Sequence, residues 1–458
     1  MLKRKNVGVI LAGGMGERFN ANTPKQFTKI AGKTVIEHTI DAFEKSSVID
    51  EIAVVINDAY MMKIEEMLVN NKWSKVKKIL NGGHERYQSS LSAIRAYTDQ
   101  KNINIIFHDA VRPLLSQRVL YDIDLALNRY DAVDVAISAT DTIIKTDTTN
   151  SIIDEVPDRS MLYQGQTPQA FKLEVIERAY ELALQDPDFK TTDDCGVVVR
   201  YLPDVPVYIV EGERQNIKLT HIEDLYQMDK LFQLNTTKLL IDTDFSELAG
   251  RVIMIFGGNS GIGKAIYDIA KKNGAKTYSF SRSTTDTDIT NLQDIQSAFK
   301  KVLEIESKID YVVNTAAVLK REAFHTMTQS DLDLMIDVNY RGMIYVSQCA
   351  YEYLKDSKGQ LLHFTSSSYT YGRPLYSLYS SAKAAVVNFV QALAQEWNPV
   401  NIRINCINPE RTKTNMRLTN FGHEDDSTLL SADEVAVQAI ATLLNENSGQ
   451  VIDVRLKI

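Results

Sequence analysis

Residues 251–266 read RVIMIFGGNSGIGKAI, and residues 6–19 read NVGVILAGGMGERF. In each, a short apolar run passes through a glycine-rich turn into a helix-like pattern. That is the opening strand–turn–helix of a parallel sheet. The two stretches share no further likeness, so they open two different domains rather than two copies of a repeat. Outward from them, apolar runs alternate with helical patterns. The first half has EIAVVIN (51–57), INIIFHDA (103–110) and DVAISA (134–139). The second has KTYSFS (276–281), IDYVVNTA (309–316), GQLLHFTS (359–366) and IRINCIN (402–408). Strands separated by helices predict right-handed crossovers, with helices on both faces of each sheet. The fold class is α/β with two doubly wound domains. The spacing predicts domains at 1–236 and 249–458, with a linker at 237–248 inside the polar stretch LNTTKLLIDTDFSELAG (234–250).

Bulk composition agrees. A chain of 458 residues exceeds one ordinary domain, and 44% hydrophobic with 24% charged residues suffices for two cores. The net charge of −8 argues against nucleic acid as a partner and leaves small anionic substrates open. Three scattered cysteines, Cys195, Cys349 and Cys406, form no CxxC, so neither a disulfide framework nor a structural zinc site is predicted. The run Val7–Ala12 is too short for a signal peptide, and no stretch has the roughly 20 apolar residues of a membrane span. The expectation is a soluble cytoplasmic protein with no membrane partner.

In LAGGMGERFNANTPKQF, glycines let the backbone approach a triphosphate, and N–H groups at a helix start favour anions. Arg18 and Lys25 add positive charge. GK[ST] is missing, so this is not a P-loop, and GxGxxG is incomplete. With PKQ at 24–26 the stretch resembles the sugar-phosphate and polyol-phosphate nucleotidyltransferases. It is most similar to the cytidylyltransferase family that includes the methylerythritol-phosphate enzyme. GGHERYQSS (82–90), FHDAVRP (107–113), DTIIK (141–145), DRSMLYQGQTPQAF (158–171), TTDD (191–194) and GERQNIKLT (212–220) follow that family's order.

The resemblance implies a Rossmann-like nucleotidyltransferase domain with a dimerisation arm over 141–165. It implies that Leu11, Ala12, Gly13 and Gly14 wrap CTP and that Gly82, Gly83 and Ser89 read the cytosine. Arg18 and Lys25 would stabilise charge on the α-phosphate, and Asp109 would help hold Mg2+. Arg159 and Lys218 would position the attacking phosphate. Bland readings stand beside these. Asp109 and Arg112 could pair with each other, Lys145 reads as a solvated face, and His108 reads as a satisfied core histidine. Thr167 either contacts substrate or shapes the turn.

In the second half, Gly257, Gly261 and Gly263 have the GxxxGxG spacing of the short-chain dehydrogenase/reductase family. DIT (288–290), NTAA (314–317), DVNYRG (337–342), TSSS (365–368) and YSSAK (379–383) extend that resemblance. Tyr379 and Lys383, four apart, share one helix face. The resemblance implies that Tyr379 protonates a carbonyl, Lys383 tunes it, Ser366 binds the carbonyl and Asn339 supports them. Ser367 and Ser368 leave the serine register open. Gly257, Gly261, Ile262, Gly263, Asp288 and Asn314 would bind the dinucleotide. No acid ends the second strand, and Arg282 in SRS (281–283) suits the 2′-phosphate of NADPH, unless it is a solvated loop residue. The family's usual Pro-Gly is Pro409–Glu410 here, and the lid over Met416–Asp433 is short and polar.

A reductase joined to a cytidylyltransferase implies consecutive steps. The pairing resembles the bacterial bifunctional ribulose 5-phosphate reductase/CDP-ribitol pyrophosphorylases. It implies a pentulose 5-phosphate, a pentitol 5-phosphate and CTP as small-molecule substrates, a CDP-polyol product for capsule, and a homodimer or larger assembly. The alternatives are a methylerythritol-phosphate cytidylyltransferase fused to an unrelated reductase, and a chain with one degenerate half kept for assembly.

Overall fold

The structure, a computed structural model, describes residues 4–14, 24–147, 149, 151–239 and 244–456, with backbone alone for 233–239. The chain divides into two compact units, Met1–Leu231 and Phe232–Ile458. The helix Glu223–Leu239 runs through that division. The expected linker at 237–248 therefore starts in a helical turn. It ends in the short helix Phe245–Leu248, where Leu248 is buried in the core of the second unit.

The first unit has strands β1 (Lys5–Ala12), β2 (Glu51–Ile56), β3 (Val76–Asn81), β4 (Ile103–Asp109), β5 (Ala132–Ser138), β6 (Tyr163–Gly165), β7 (Gln169–Lys172) and β8 (Val207–Glu211). Among the described residues they form one sheet, in the order β6-β5-β7-β4-β1-β2-β3, with β8 also on β5. β1 runs parallel to both β2 and β4, whereas β7 runs antiparallel to β4 and β5. The mixed sheet follows from β7, which returns from the arm instead of crossing over through a helix. β2 and β4 are buried at every position, as a sheet covered on both faces requires. Successive side chains divide between two cores. Ile10, Val54 and Ile106 face one, and Val9, Val55 and Phe107 face the other.

The second unit has β9 (Val252–Phe256), β10 (Lys276–Phe280), β11 (Tyr311–Asn314), β12 (Gln360–Phe364), β13 (Arg403–Pro409) and β14 (Val451–Val454). All pair in parallel, in the order β10-β9-β11-β12-β13-β14. Met254 and Phe256 enter one core, and Ile253 and Ile255 the other. Each strand expected from an apolar run is a strand.

In both sheets the strand order reverses beside the first strand, between β1 and β4 and between β9 and β11. Such a switch point splays the connections apart and leaves a crevice at the carboxyl ends of the strands. The glycine-rich turn follows β1 in one unit and β9 in the other. Among the described residues, no helix is long and apolar enough to cross a membrane.

Gly8 lets the helix Val35–Glu44 close onto β1. A Cβ there would lie 2.4 Å from the ring of Phe43, which is fully buried. Gly8→Ala is expected to destabilise the protein by about 1–3 kcal/mol through overpacking, measured as a lower denaturation midpoint.

Candidate active sites

The first crevice is a cavity of about 150 Å3. Leu11, Ala12, Gly13, Gly14, Gly83, Ser89, Lys25, Asp109 and Lys218 line it, so residues predicted from four separate motifs meet there. Gly13 and Gly82 make the cradle. A Cβ on Gly82 would lie 3.3 Å from the Gly13 Cα and 3.1 Å from the Ser89 hydroxyl. Ser89 accepts from the Gly83 N–H at 3.2 Å and fixes the turn. Lys25 stands at the start of a short helix, its Nζ donating to the Leu219 carbonyl at 3.0 Å. Arg18 lies outside the described residues.

Asp109, at the end of β4, is the electrostatic centre of this site. Lys218 approaches its carboxylate to 2.9 Å, Arg112 to 3.5 Å and Arg86 to 3.6 Å. Burial alone would raise its pKa, but the three cations hold it well below the usual carboxylate range. The bland pairing of Asp109 with Arg112 is thus one arm of a larger cluster.

Burial lowers His108 to about 4, so its ring is neutral. The Arg112 carbonyl, 3.0 Å away, can only accept, so Nε2 carries the proton. Nδ1 then accepts from the Thr167 hydroxyl at 2.9 Å, and that hydroxyl accepts from the Asp109 N–H at 3.1 Å. His108 is a satisfied core histidine, and Thr167 braces the strand end that carries Asp109.

Arg86 was not singled out from the sequence, although it lies within GGHERYQSS. It lines the cavity and pairs with buried Asp194 at 2.6 Å, and Asp194 also accepts from the Tyr180 hydroxyl at 2.7 Å. The charged run TTDD was the available signal, but its partner is 108 residues away. Arg159 is not among the cavity-lining residues. It lies exposed on the arm, donating to the Thr140 carbonyl at 2.9 Å. Lys145 pairs on the surface with Asp154 and Glu155.

The second crevice is a cavity of about 430 Å3. Gly257, Gly261, Ile262, Gly263, Arg282, Asp288, Tyr379 and Lys383 line it. Gly257 has φ +83°, and a Cβ there would meet the Ala316 nitrogen at 2.8 Å. A Cβ on Gly263 would sit 2.4 Å from the Gly257 carbonyl. Only glycine permits this approach, and it brings the start of the helix Gly261–Lys272 to the cavity as an anion site. Arg282 opens the short helix Arg282–Thr285 between Ser281 and Ser283, which also line the cavity. The Asp288 carboxylate accepts from the Thr290 N–H at 2.9 Å. Asn314 is not among the lining residues. Its side chain turns back to accept from the Ala316 N–H at 3.2 Å and shapes the wall.

Tyr379 and Lys383 project from the helix Ser377–Trp397. Lys383 donates to the Phe364 carbonyl at 2.9 Å and lies 5.5 Å from the Tyr379 ring centroid. Burial pushes Tyr379 up to about 12, against the opposing influence of the Ser366 hydroxyl. Burial draws Lys383 down to about 8. Asn339 sits in a π-helical turn, Asp337–Arg341. Its amide donates to the Val318 and Met335 carbonyls at 2.8 and 2.9 Å, which fixes the wall opposite the helix.

Comparisons with known proteins agree with this division. The 2-C-methyl-D-erythritol 4-phosphate cytidylyltransferase family matches residues 7–233, and the short chain dehydrogenase family matches residues 251–425. The bifunctional ribulose 5-phosphate reductase/CDP-ribitol pyrophosphorylase of Haemophilus influenzae is 47% identical, over 100% of this chain and 97% of its own length. The chain belongs to that bifunctional family. It carries a cytidylyltransferase unit followed by a short-chain reductase unit built around a nicotinamide cofactor crevice. The 2-C-methyl-D-erythritol 4-phosphate cytidylyltransferase of Thermobifida fusca is 42% identical over 49% of this chain and 92% of its own. The solved 4-diphosphocytidyl-2C-methyl-D-erythritol synthase of Anaerococcus prevotii is 30% identical with a TM-score of 0.45, covering 50% of this chain and 96% of that one.

Lys383 is cationic below about 8 and neutral above it. With Tyr379 as the expected proton donor, that charge would favour the tyrosinate left behind. The kcat/KM of carbonyl reduction is therefore expected to fall as pH rises through about 8. A pH-rate profile that stays level across that value would contradict this role.

Proposed function

We propose that the chain reduces ribulose 5-phosphate to ribitol 5-phosphate with NADPH. It then joins that product to CTP, giving CDP-ribitol and pyrophosphate for capsule or another cell-surface polysaccharide. The observation that carries this reading is the 47% identity running through both units to an enzyme of that name.

In the reductase, bound NADPH supplies the hydride. Tyr379 gives its hydroxyl proton to the carbonyl oxygen, Ser366 holds that oxygen, and Lys383 stabilises the phenolate left behind. The bases for NADPH over NADH are the guanidinium of Arg282 in the cavity wall and the absence of an acid at 280–283.

In the transferase, the phosphate of ribitol 5-phosphate attacks the α-phosphorus and pyrophosphate leaves. The nucleophile is already anionic, so positioning and charge suffice. Lys25, with Arg18, would stabilise the charge that builds on the α-phosphate, and Lys218 would orient the nucleophile. A single carboxylate, Asp109, suits Mg2+, which is commonly held by one or two carboxylates and the substrate phosphates. Among the described residues, no group of three or more His, Cys, Asp or Glu side chains could hold a metal by itself. The metal would therefore arrive with the triphosphate and neutralise its charge.

A cytoplasmic homodimer or larger assembly is part of the proposal. The segment 141–165 carries exposed Ile144, Ile152, Ile153, Val156 and Met161. Laid against a second subunit, it would cover them and bring Arg159 to that subunit's transferase site.

The decisive assay supplies ribulose 5-phosphate, NADPH and CTP with Mg2+. Lys25→Ala is expected to keep NADPH oxidation and to lower CDP-ribitol formation by about 10²–10³-fold. Tyr379→Phe is expected to lower NADPH oxidation by about 10²–10⁴-fold and to keep transfer from added ribitol 5-phosphate. Turnover of methylerythritol phosphate in place of ribitol phosphate would overturn the reading in favour of a fused isoprenoid-type transferase.

Cofactor choice has its own test. Arg282→Ala is expected to raise the KM for NADPH by roughly 10–100-fold, with little change for NADH. An equal change for both would make Arg282 a general contact.

A further inference from the structure

Beyond the catalytic tyrosine, the second cavity is bordered by the segments that follow β11, β12 and β13. These three segments are joined at one point. The Arg321 N–H donates to the Asn420 side-chain oxygen at 3.1 Å, and the neighbouring Glu322 N–H donates to the Leu375 carbonyl at 2.6 Å. Leu375 has φ +68°, a left-handed conformation that a leucine rarely adopts. Such a conformation persists where its surroundings hold it, and it often marks a functional wall.

A line of rings leads from this clasp to the chemistry. The Arg321 guanidinium lies 5.3 Å from the Phe421 ring centroid. Phe421 meets Tyr376 edge-on at 5.9 Å, and Tyr376 meets Tyr379 at 6.4 Å. The charges around the clasp are almost all spent. Lys320 pairs with Glu322 and Asp331, Arg417 holds Glu424 through two nitrogens, and Lys413 pairs with Asp426. Among the described residues, Arg321 makes no ion pair. A guanidinium held over an aromatic face, with its donors unspent, is suited to a planar or tetrahedral oxyanion.

We propose that Arg321 recognises the phosphate of the sugar-phosphate substrate of the reductase and so selects phosphorylated over free ketoses. This rests on the reading of the reductase as a ketose-phosphate enzyme. The carbonyl end of the substrate sits at Tyr379 and the phosphate end at Arg321. The rings of Tyr376 and Phe421, which link Tyr379 to Arg321 by contact, would flank the sugar chain. Holding both ends fixes which face of the carbonyl meets the hydride.

The test compares ribulose 5-phosphate with ribulose as substrates for the full-length protein, with NADPH saturating. Wild type is expected to prefer the phosphorylated ketose. In Arg321→Ala the ratio of the two kcat/KM values is expected to fall roughly ten- to hundredfold. The fall should come through KM for ribulose 5-phosphate, with kcat largely kept, and Arg321→Lys should recover part of it. NADPH binding, followed by fluorescence, reports that the variants are folded. An unchanged ratio in folded Arg321→Ala would overturn the proposal. So would a loss carried instead by Arg373→Ala, because Arg373 also makes no ion pair among the described residues and lies on the segment clasped to Glu322. A wild type with no preference for the phosphorylated ketose would overturn the ketose-phosphate reading itself, which separates that failure from a failure of Arg321 alone.

Discussion

Both candidate sites depend on bringing backbone close to backbone at the carboxyl end of a first strand. In the reductase the helix start is pressed so near the turn before it that a side-chain carbon on Gly263 would overlap the Gly257 carbonyl. In the transferase Gly82 stacks on Gly13 with barely room for a methyl group. Polyphosphate recognition by main-chain N–H groups needs this proximity, since an N–H cannot extend itself as a lysine can. The rest of each unit serves that contact. The switch in strand order opens the crevice, and doubly covered strands give it rigid walls. Asp109 then hangs from a strand end, and Tyr379 and Lys383 from a long helix.

Given a fixed cradle, the two sites solve their chemistry with different physics. The transferase gathers charge. Asp109 is surrounded by Lys218, Arg112 and Arg86, and Arg86 is in turn secured by buried Asp194. The reductase hides charge. Lys383 and Tyr379 are both shifted chiefly by burial, in opposite directions that bring each closer to its neutral form. A site that moves a nucleotidyl group from one phosphate to another needs standing positive potential. A site that delivers a proton needs an acid that stays protonated until the hydride comes.

Much of this was legible in the sequence because it is local. A strand followed by glycines and a helix is read within sixteen residues, and Tyr379 and Lys383 are one helical turn apart. What was not legible is long-range. Arg86 gave no sign of its role because Asp194 lies far along the chain. Asn314 was expected at the dinucleotide but shapes the wall from behind, because its side chain closes on the next turn of its own loop. Arg321 was not singled out from the sequence. Its setting comes from a hydrogen bond to a lid residue 99 positions away. Periodicity encodes strands and helices, whereas the pairing of loops depends on the finished fold.

The division into two compact units on one polypeptide has a consequence for supply. Each copy of the reductase is translated with a copy of the transferase, so their abundances cannot be adjusted separately. Any balance between making the alcohol phosphate and consuming it must then be set by the turnover and affinity of each site, and not by gene expression.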